Sequence, residues 1–174
     1  VSVNGALLPF GGVAAHVFSP AAKLLARSAW AARAFAWRAR QPGVVDRLLA
    51  STGSRLDAEG AALYARLACD PRHVAAALGM MAQWDLDALA RALPRLATPL
   101  DLVVGSRDAM VPPEQAERVA ARITGARVTG LIGLGHLAHE EDPAAVTRII
   151  ERDAAAWGVL AGGVPPRIVG GQRP

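Results

Sequence analysis

The segment Leu100-Asp101-Leu102-Val103-Val104-Gly105 constrains the fold of this chain more than any other. It is a short, mostly apolar run held between Pro99 and a glycine, the pattern of a parallel strand buried on both faces. A second such run, Ala126 to Ile132, closes on Gly133. Pro112-Pro113-Glu114 opens a helix between them, to about Ile123, and Asp142-Pro143 opens another that runs to about Trp157. Val1-Ser2-Val3 reads as a further strand end, with Asn4-Gly5 as turn punctuation. Strands alternating with helices in this order define an α/β chain built on a parallel sheet.

The intervening stretch has a different rhythm. Pro20 to Arg40 is rich in Ala, Leu, Arg and Trp and stops at Pro42-Gly43; Val44 to Ala50 follows, then a Ser51-Thr52-Gly53 turn. Asp57, Asp70 (before Pro71) and Asp85 are placed to cap helices over Ala58–Ala68, Arg72–Gln83 and a short segment ending near Pro94. The expected organisation is therefore a core strand and loop over 1–12 and a helical cap over 13–95. The C-terminal half of a core follows over 96–157, with a Gly/Pro-rich tail over 158–174. Three strands are few for a doubly wound sheet, so the others are expected before Val1. No methionine precedes Met80, and the chain reads as the later part of a longer one.

Composition excludes several functions. The net charge of +4 is carried by no basic run interleaved with aromatics, which argues against a nucleic-acid groove. No apolar stretch reaches the ~18 residues of a membrane span. The single cysteine, Cys69, cannot form an internal disulfide and fits a reducing, cytoplasmic setting. Neither a P-loop nor a G-x-G-x-x-G is present, and nothing calls for a cofactor.

The residues that could do chemistry follow the strands. Asp108 comes three residues after the glycine of the first run, and His136 follows the second through Gly133-Leu134-Gly135. Parallel sheets present catalytic groups at the carboxyl ends of their strands. A carboxylate there can fix an imidazole in one tautomer, and the imidazole can then accept a proton near neutral pH. Alone, Asp108 could merely cap a turn and His136 could be structural; the pairing favours catalysis.

The segments GSRDAMVPP (105–113) and GLGHLAHEEDP (133–143) resemble the acid and histidine signatures of the α/β-hydrolase superfamily. In that superfamily the chain order is nucleophile, acid, histidine. The resemblance implies a fold of parallel strands flanked by helices with an inserted helical cap, spanning about residues 1 to 157. It assigns Asp108 and His136 to a Ser-His-Asp triad. No G-x-S-x-G occurs, and none of Ser2, Ser19, Ser28, Ser51, Ser54 and Ser106 sits in a strand-to-helix elbow. The serine and oxyanion hole are expected upstream of Val1, and this chain alone is expected to be inactive.

A narrower resemblance rests on NGALLPF (4–10), FSPAAKLLA (18–26), TGSRLD (52–57), HVAAALGMMAQWDL (73–86) and GLGHLAHEEDP. These are similar to the magnesium-chelatase accessory proteins of bacteriochlorophyll synthesis (the BchO type). That family implies a role beside magnesium chelatase during magnesium insertion into protoporphyrin, with protoporphyrin or its magnesium form as the implied ligand. A non-catalytic porphyrin-binding module and a generic serine esterase are the competing readings.

Met80, Met81 and Trp84 end a cap helix, where adaptable Met and flat Trp would suit a large apolar ligand, or simply pack the cap. His73 could ligate a porphyrin metal, although an exposed role is commoner. Lys23, Arg27, Arg33, Arg38 and Arg40 share a helical side with Trp30 and Trp37, opposite Leu24, Leu25, Ala32 and Phe35. Such a face would let a cytoplasmic protein touch the inner or photosynthetic membrane, or it is solvated surface. His136-Leu-Ala-His139-Glu140-Glu141 lacks metal-site spacing, so no metal site is expected; His139 should orient the loop or start the next helix.

Overall fold

The structure is a computed structural model that describes residues 1–9 and 28–160. Its strands are β1 (Ser2–Val3), β2 (Asp101–Gly105) and β3 (Arg127–Leu131). All pair in parallel in the order β1-β2-β3, with Ser2 opposite Leu102 and Asp101 opposite Arg127. The helices are α1 (Ala29–Ala39), α2 (Val44–Ser51), α3 (Ala58–Ala68), α4 (Pro71–Ala82) and α5 (Leu86–Ala92) before β2. Then come α6 (Glu114–Ala120), α7 (Ala138–Glu141) and α8 (Pro143–Ala156). No helix among the described residues is long and apolar enough to cross a membrane.

Strand alternation sends Leu102, Val104 and Val128 to one face of the sheet, where they join Leu8, Leu93, Ala116, Val119 and Ile123. That apolar cluster seats α6. The opposite face carries charge. The carboxylates of Asp101 on β2 and Asp153 on α8 are both fully buried, and each accepts hydrogen bonds from the half-exposed Arg127 and Arg152. Thr129 donates to Asp101 as well, at 2.9 Å. Arg127 lies 5.9 Å from the Trp157 ring centroid, so α8 is held to the sheet by a bidentate ionic lattice topped by a cation–π contact.

The helical layer is built on small side chains. Ala32 and Ala36 of α1 let it approach Val74 and Leu78 of α4 closely, and Ala39, Val45 and Leu49 make a second cluster with Leu56, Tyr64 and Leu137. The capping carboxylates act as expected: Asp57, Asp70, Asp85 and Asp142 each accept a backbone N–H of the first turn, at 2.7–2.8 Å.

Several boundaries differ from the sequence reading. α6 stops at Ala120 rather than Ile123, because Arg122 and Ile123 close tighter i→i−3 bonds as Ile123 turns into the core. Ala126 bonds back to Ile123 and stays outside the ladder, and Ile132 lies 94% exposed beyond it. α7, a single turn inside the histidine loop, was not anticipated. Phe35, expected opposite the basic side of α1, is 42% exposed, because Ala32, Ala36 and Ala39 alone supply the buried stripe. The helical stretch expected over Pro20 to Arg40 is interrupted at Ser28, which is extended, and α1 begins at Ala29; residues 10–27, with Lys23, Leu24, Leu25 and Arg27, lie outside the described residues, as do 161–174.

Candidate active site

β2 and β3 end side by side, and the loops after them meet. Asp108 lies in the tight turn after β2, where its N–H donates to the Gly105 carbonyl. One carboxylate oxygen, Oδ1, accepts the backbone N–H groups of Met110 and Val111, each at 2.8 Å. The other, Oδ2, stands 2.9 Å from Nδ1 of His136. The turn-capping role and the histidine-pairing role fall to different oxygens of one buried carboxylate. Nδ1–H donating to Asp108 leaves Nε2 with its lone pair, the tautomer a general base needs. The imidazole keeps 30% exposure while the Asp108 side chain has none, so the carboxylate is dry and the imidazole is reachable.

The backbone around His136 is held by a complete set of partners. Asn4, at the end of β1, donates through Nδ2 to the carbonyls of Gly135 (2.9 Å) and His136 (2.7 Å) and accepts the Gly105 N–H at 2.8 Å. It is 4% exposed and adopts a left-handed φ of 48°, which asparagine tolerates better than most residues. His136 N–H donates to the Thr52 carbonyl, Gly135 N–H to the Glu141 carboxylate, and Leu137 N–H to the Ser54 hydroxyl. The turn from Thr52 to Arg55 thus lies between the acid and histidine loops. Gly53 and Gly135 make this possible: a Cβ at Gly53 would fall 1.8 Å from the Arg107 carbonyl oxygen, and one at Gly135 2.4 Å from the Gly53 backbone.

Sequence reasoning singled out Asp108 and His136 and passed over Asn4, Ser54 and Glu141. By pattern alone Asn4 is a turn residue, and Glu141 belongs only to a metal-like cluster. The available signal was the pairing of asparagine or serine with glycine beside each loop.

The ligand-binding candidates do not converge. His73, exposed near the start of α4, borders a groove of about 910 Å³ with Leu63, Tyr64, Leu67, Asp70 and Glu140. Burial pushes the Tyr64 hydroxyl pKa up, helped by the Glu140 carboxylate beside it. Met80, 58% exposed, Met81 and Trp84 lie at the far end of α4 and do not line that groove. Met80 stands seven positions beyond His73, a rise of about 10 Å. His139 sits in α7 with its ring 3.7 Å from the Glu140 carboxylate.

A parallel sheet whose adjacent strand ends bring a buried carboxylate to a histidine is the C-terminal architecture of an α/β-hydrolase. Residues 1–149 match the Alpha/beta hydrolase family, and the chain belongs to it. Among curated proteins, the Magnesium-chelatase 30 kDa subunit of Rhodobacter capsulatus is 39% identical over 140 residues, covering 80% of this chain and 49% of that protein. The chain therefore spans about half the length of this relative. Among solved structures, a thermophilic esterase from Thermogutta terrifontis superposes with a TM-score of 0.61 at 26% identity, covering 88% of this chain and 54% of that one. A haloalkane dehalogenase loop variant from Bradyrhizobium elkanii shares the fold, with a TM-score of 0.54 at 21% identity over 87% of this chain and 55% of that one.

Proposed function

We propose that Asp108 and His136 are the acid and base of a serine hydrolase triad whose nucleophile lies N-terminal to Val1, in a protein that works beside magnesium chelatase in bacteriochlorophyll synthesis. The observation that carries the chemical half is the 2.9 Å pairing of Nδ1 with a buried carboxylate at the rim of a parallel sheet. In this reading Nε2 takes the serine proton, Asp108 stabilises the imidazolium, and the proton is later passed to the leaving group. The likeness to a chelatase subunit supports the biological half. The test is hydrolysis of an activated ester by the full-length protein. His136→Ala should lower kcat by about 10⁴-fold or more, and this chain alone should be inert; activity that survives His136→Ala would refute the triad.

A second reading, a porphyrin-binding module without catalysis, draws support from the groove in which His73 faces Leu63, Leu67 and Tyr64. An imidazole beside Leu63 and Leu67 is a suitable seat for a metalloporphyrin, and His73→Ala should weaken magnesium-protoporphyrin binding followed at the Soret band of the full-length protein. An ester hydrolysed without any pigment binding would instead favour a generic esterase, as the likeness to the Thermogutta enzyme suggests.

A peripheral membrane contact belongs to the same proposal. On α1, Trp30 and Trp37 are 78% and 63% exposed, opposite the buried alanines, and Arg33 sits 5.7 Å from the Trp30 ring centroid. Indole and guanidinium on one outward face suit an anionic bilayer surface. Binding to anionic vesicles should fall with salt and with Trp30→Ala plus Trp37→Ala; no binding to such vesicles would remove this role.

A further inference from the structure

Resting on the dyad reading above, we infer that the Thr52–Arg55 turn of the helical layer is a positioning element for His136, with Ser54 and Glu141 as the positioning residues. The sheet does not hold the imidazole in place alone. The Thr52 carbonyl accepts N–H groups from both catalytic loops, those of Ala109 and His136, each at 3.2 Å. The Ser54 hydroxyl, 5% exposed, accepts the Leu137 N–H at 2.8 Å. Glu141 bridges the two layers: Oε2 accepts the Gly135 N–H at 2.6 Å and Oε1 the Arg55 N–H at 2.8 Å. Arg107, next to the acid, reaches the carbonyls of Gly53 (2.9 Å) and Gly133 (3.2 Å). The Leu137 side chain packs into the cluster of α2 and α3, so the residue after the base is tied to the helical layer through both backbone and side chain.

The consequence is mechanical. A hydrogen bond near 2.9 Å fails when its partners part by about 1 Å, and groups displaced that far lose most of their effect on a reacting centre. Loss of the Glu141 or the Ser54 contact therefore frees the histidine loop to move relative to Asp108.

The experiment reads the Nδ1–H proton of His136 by NMR in the full-length protein labelled at histidine, measuring its exchange with water. Ser54→Ala and Glu141→Gln should each speed that exchange by about tenfold, the factor that one lost net hydrogen bond brings. Ser54→Thr, which restores the hydroxyl, should return it to the unsubstituted rate. Val119→Ala, which weakens the core cluster of Leu102 and Ile123, serves as the control for general destabilisation and should leave the exchange slow. Unchanged exchange in both variants, or equal acceleration in the control, overturns the positioning role while leaving the dyad intact. A missing Nδ1–H signal in the unsubstituted protein overturns the dyad and the positioning role together. Where one variant fails to fold, the other decides.

Discussion

Asp108 shows how much one side chain can carry. One oxygen closes the loop on the Met110 and Val111 amides, and the other faces the imidazole. Asp108→Asn in the full-length protein preserves the shape but supplies an amide in place of an anion. Esterase activity should fall by about 10³–10⁴-fold with the thermal midpoint shifted only slightly, measured by ester hydrolysis and calorimetry side by side. Gly53→Ala is the opposite case, a change that harms the fold first. Its φ of 80° and the Arg107 carbonyl at 1.8 Å from a new Cβ should cost about 3 kcal/mol of stability in denaturant titrations. The pairing of Asp108 with His136 was legible in the sequence because each stands a few residues beyond its own strand, a local signal. Asn4 was not, because its partners lie 101 to 132 residues away and only the parallel pairing of β1 with β2 brings them near.

Among the elements, the helix starts marked by a capping aspartate were legible, and helix ends less so. A capping aspartate is recognised two or three residues from the amide it serves, and all four such residues cap as read. The end of α6 depends instead on where Ile123 finds the core, a tertiary matter that no local pattern states. The lattice beneath α8 carries its own prediction. Burial pushes the Asp153 carboxyl up, but the hydrogen bond from Arg152 and the charges of Arg127 and Arg152 outweigh it and hold the group below the usual carboxylate range. A carboxyl lower in the folded than in the unfolded chain adds stability that is complete above about pH 4 and is lost as pH falls through the depressed value. Asp153→Asn should flatten that acid limb and cost about 1–3 kcal/mol near neutrality, less than for a fully buried pair because both arginines are half exposed. Trp157 fluorescence against pH, in both proteins, checks it.

At the scale of the molecule, the helical layer and the sheet are not separable bodies joined by a hinge. The expected division into a cap over 13–95 and a core over 96–157 places the Thr52–Arg55 turn within the cap. Yet that turn is bonded to both core loops. The two regions should therefore unfold together: a thermal melt followed by fluorescence of Trp30, Trp37 and Trp84 should coincide with one followed by far-ultraviolet circular dichroism. Two separated transitions would show that the loop contacts are too weak to couple the layers.

The same asparagine that links β1 to the histidine loop also makes the assembly self-checking. Were β1 to slide by one residue along β2, the alternation of a strand would turn the Asn4 amide to the wrong side of the sheet. Three amide-dependent bonds would vanish in one step. Misaligned chains would then be unable to hold the His136 loop beside Asp108, and an ordered histidine loop would double as proof of correct strand pairing.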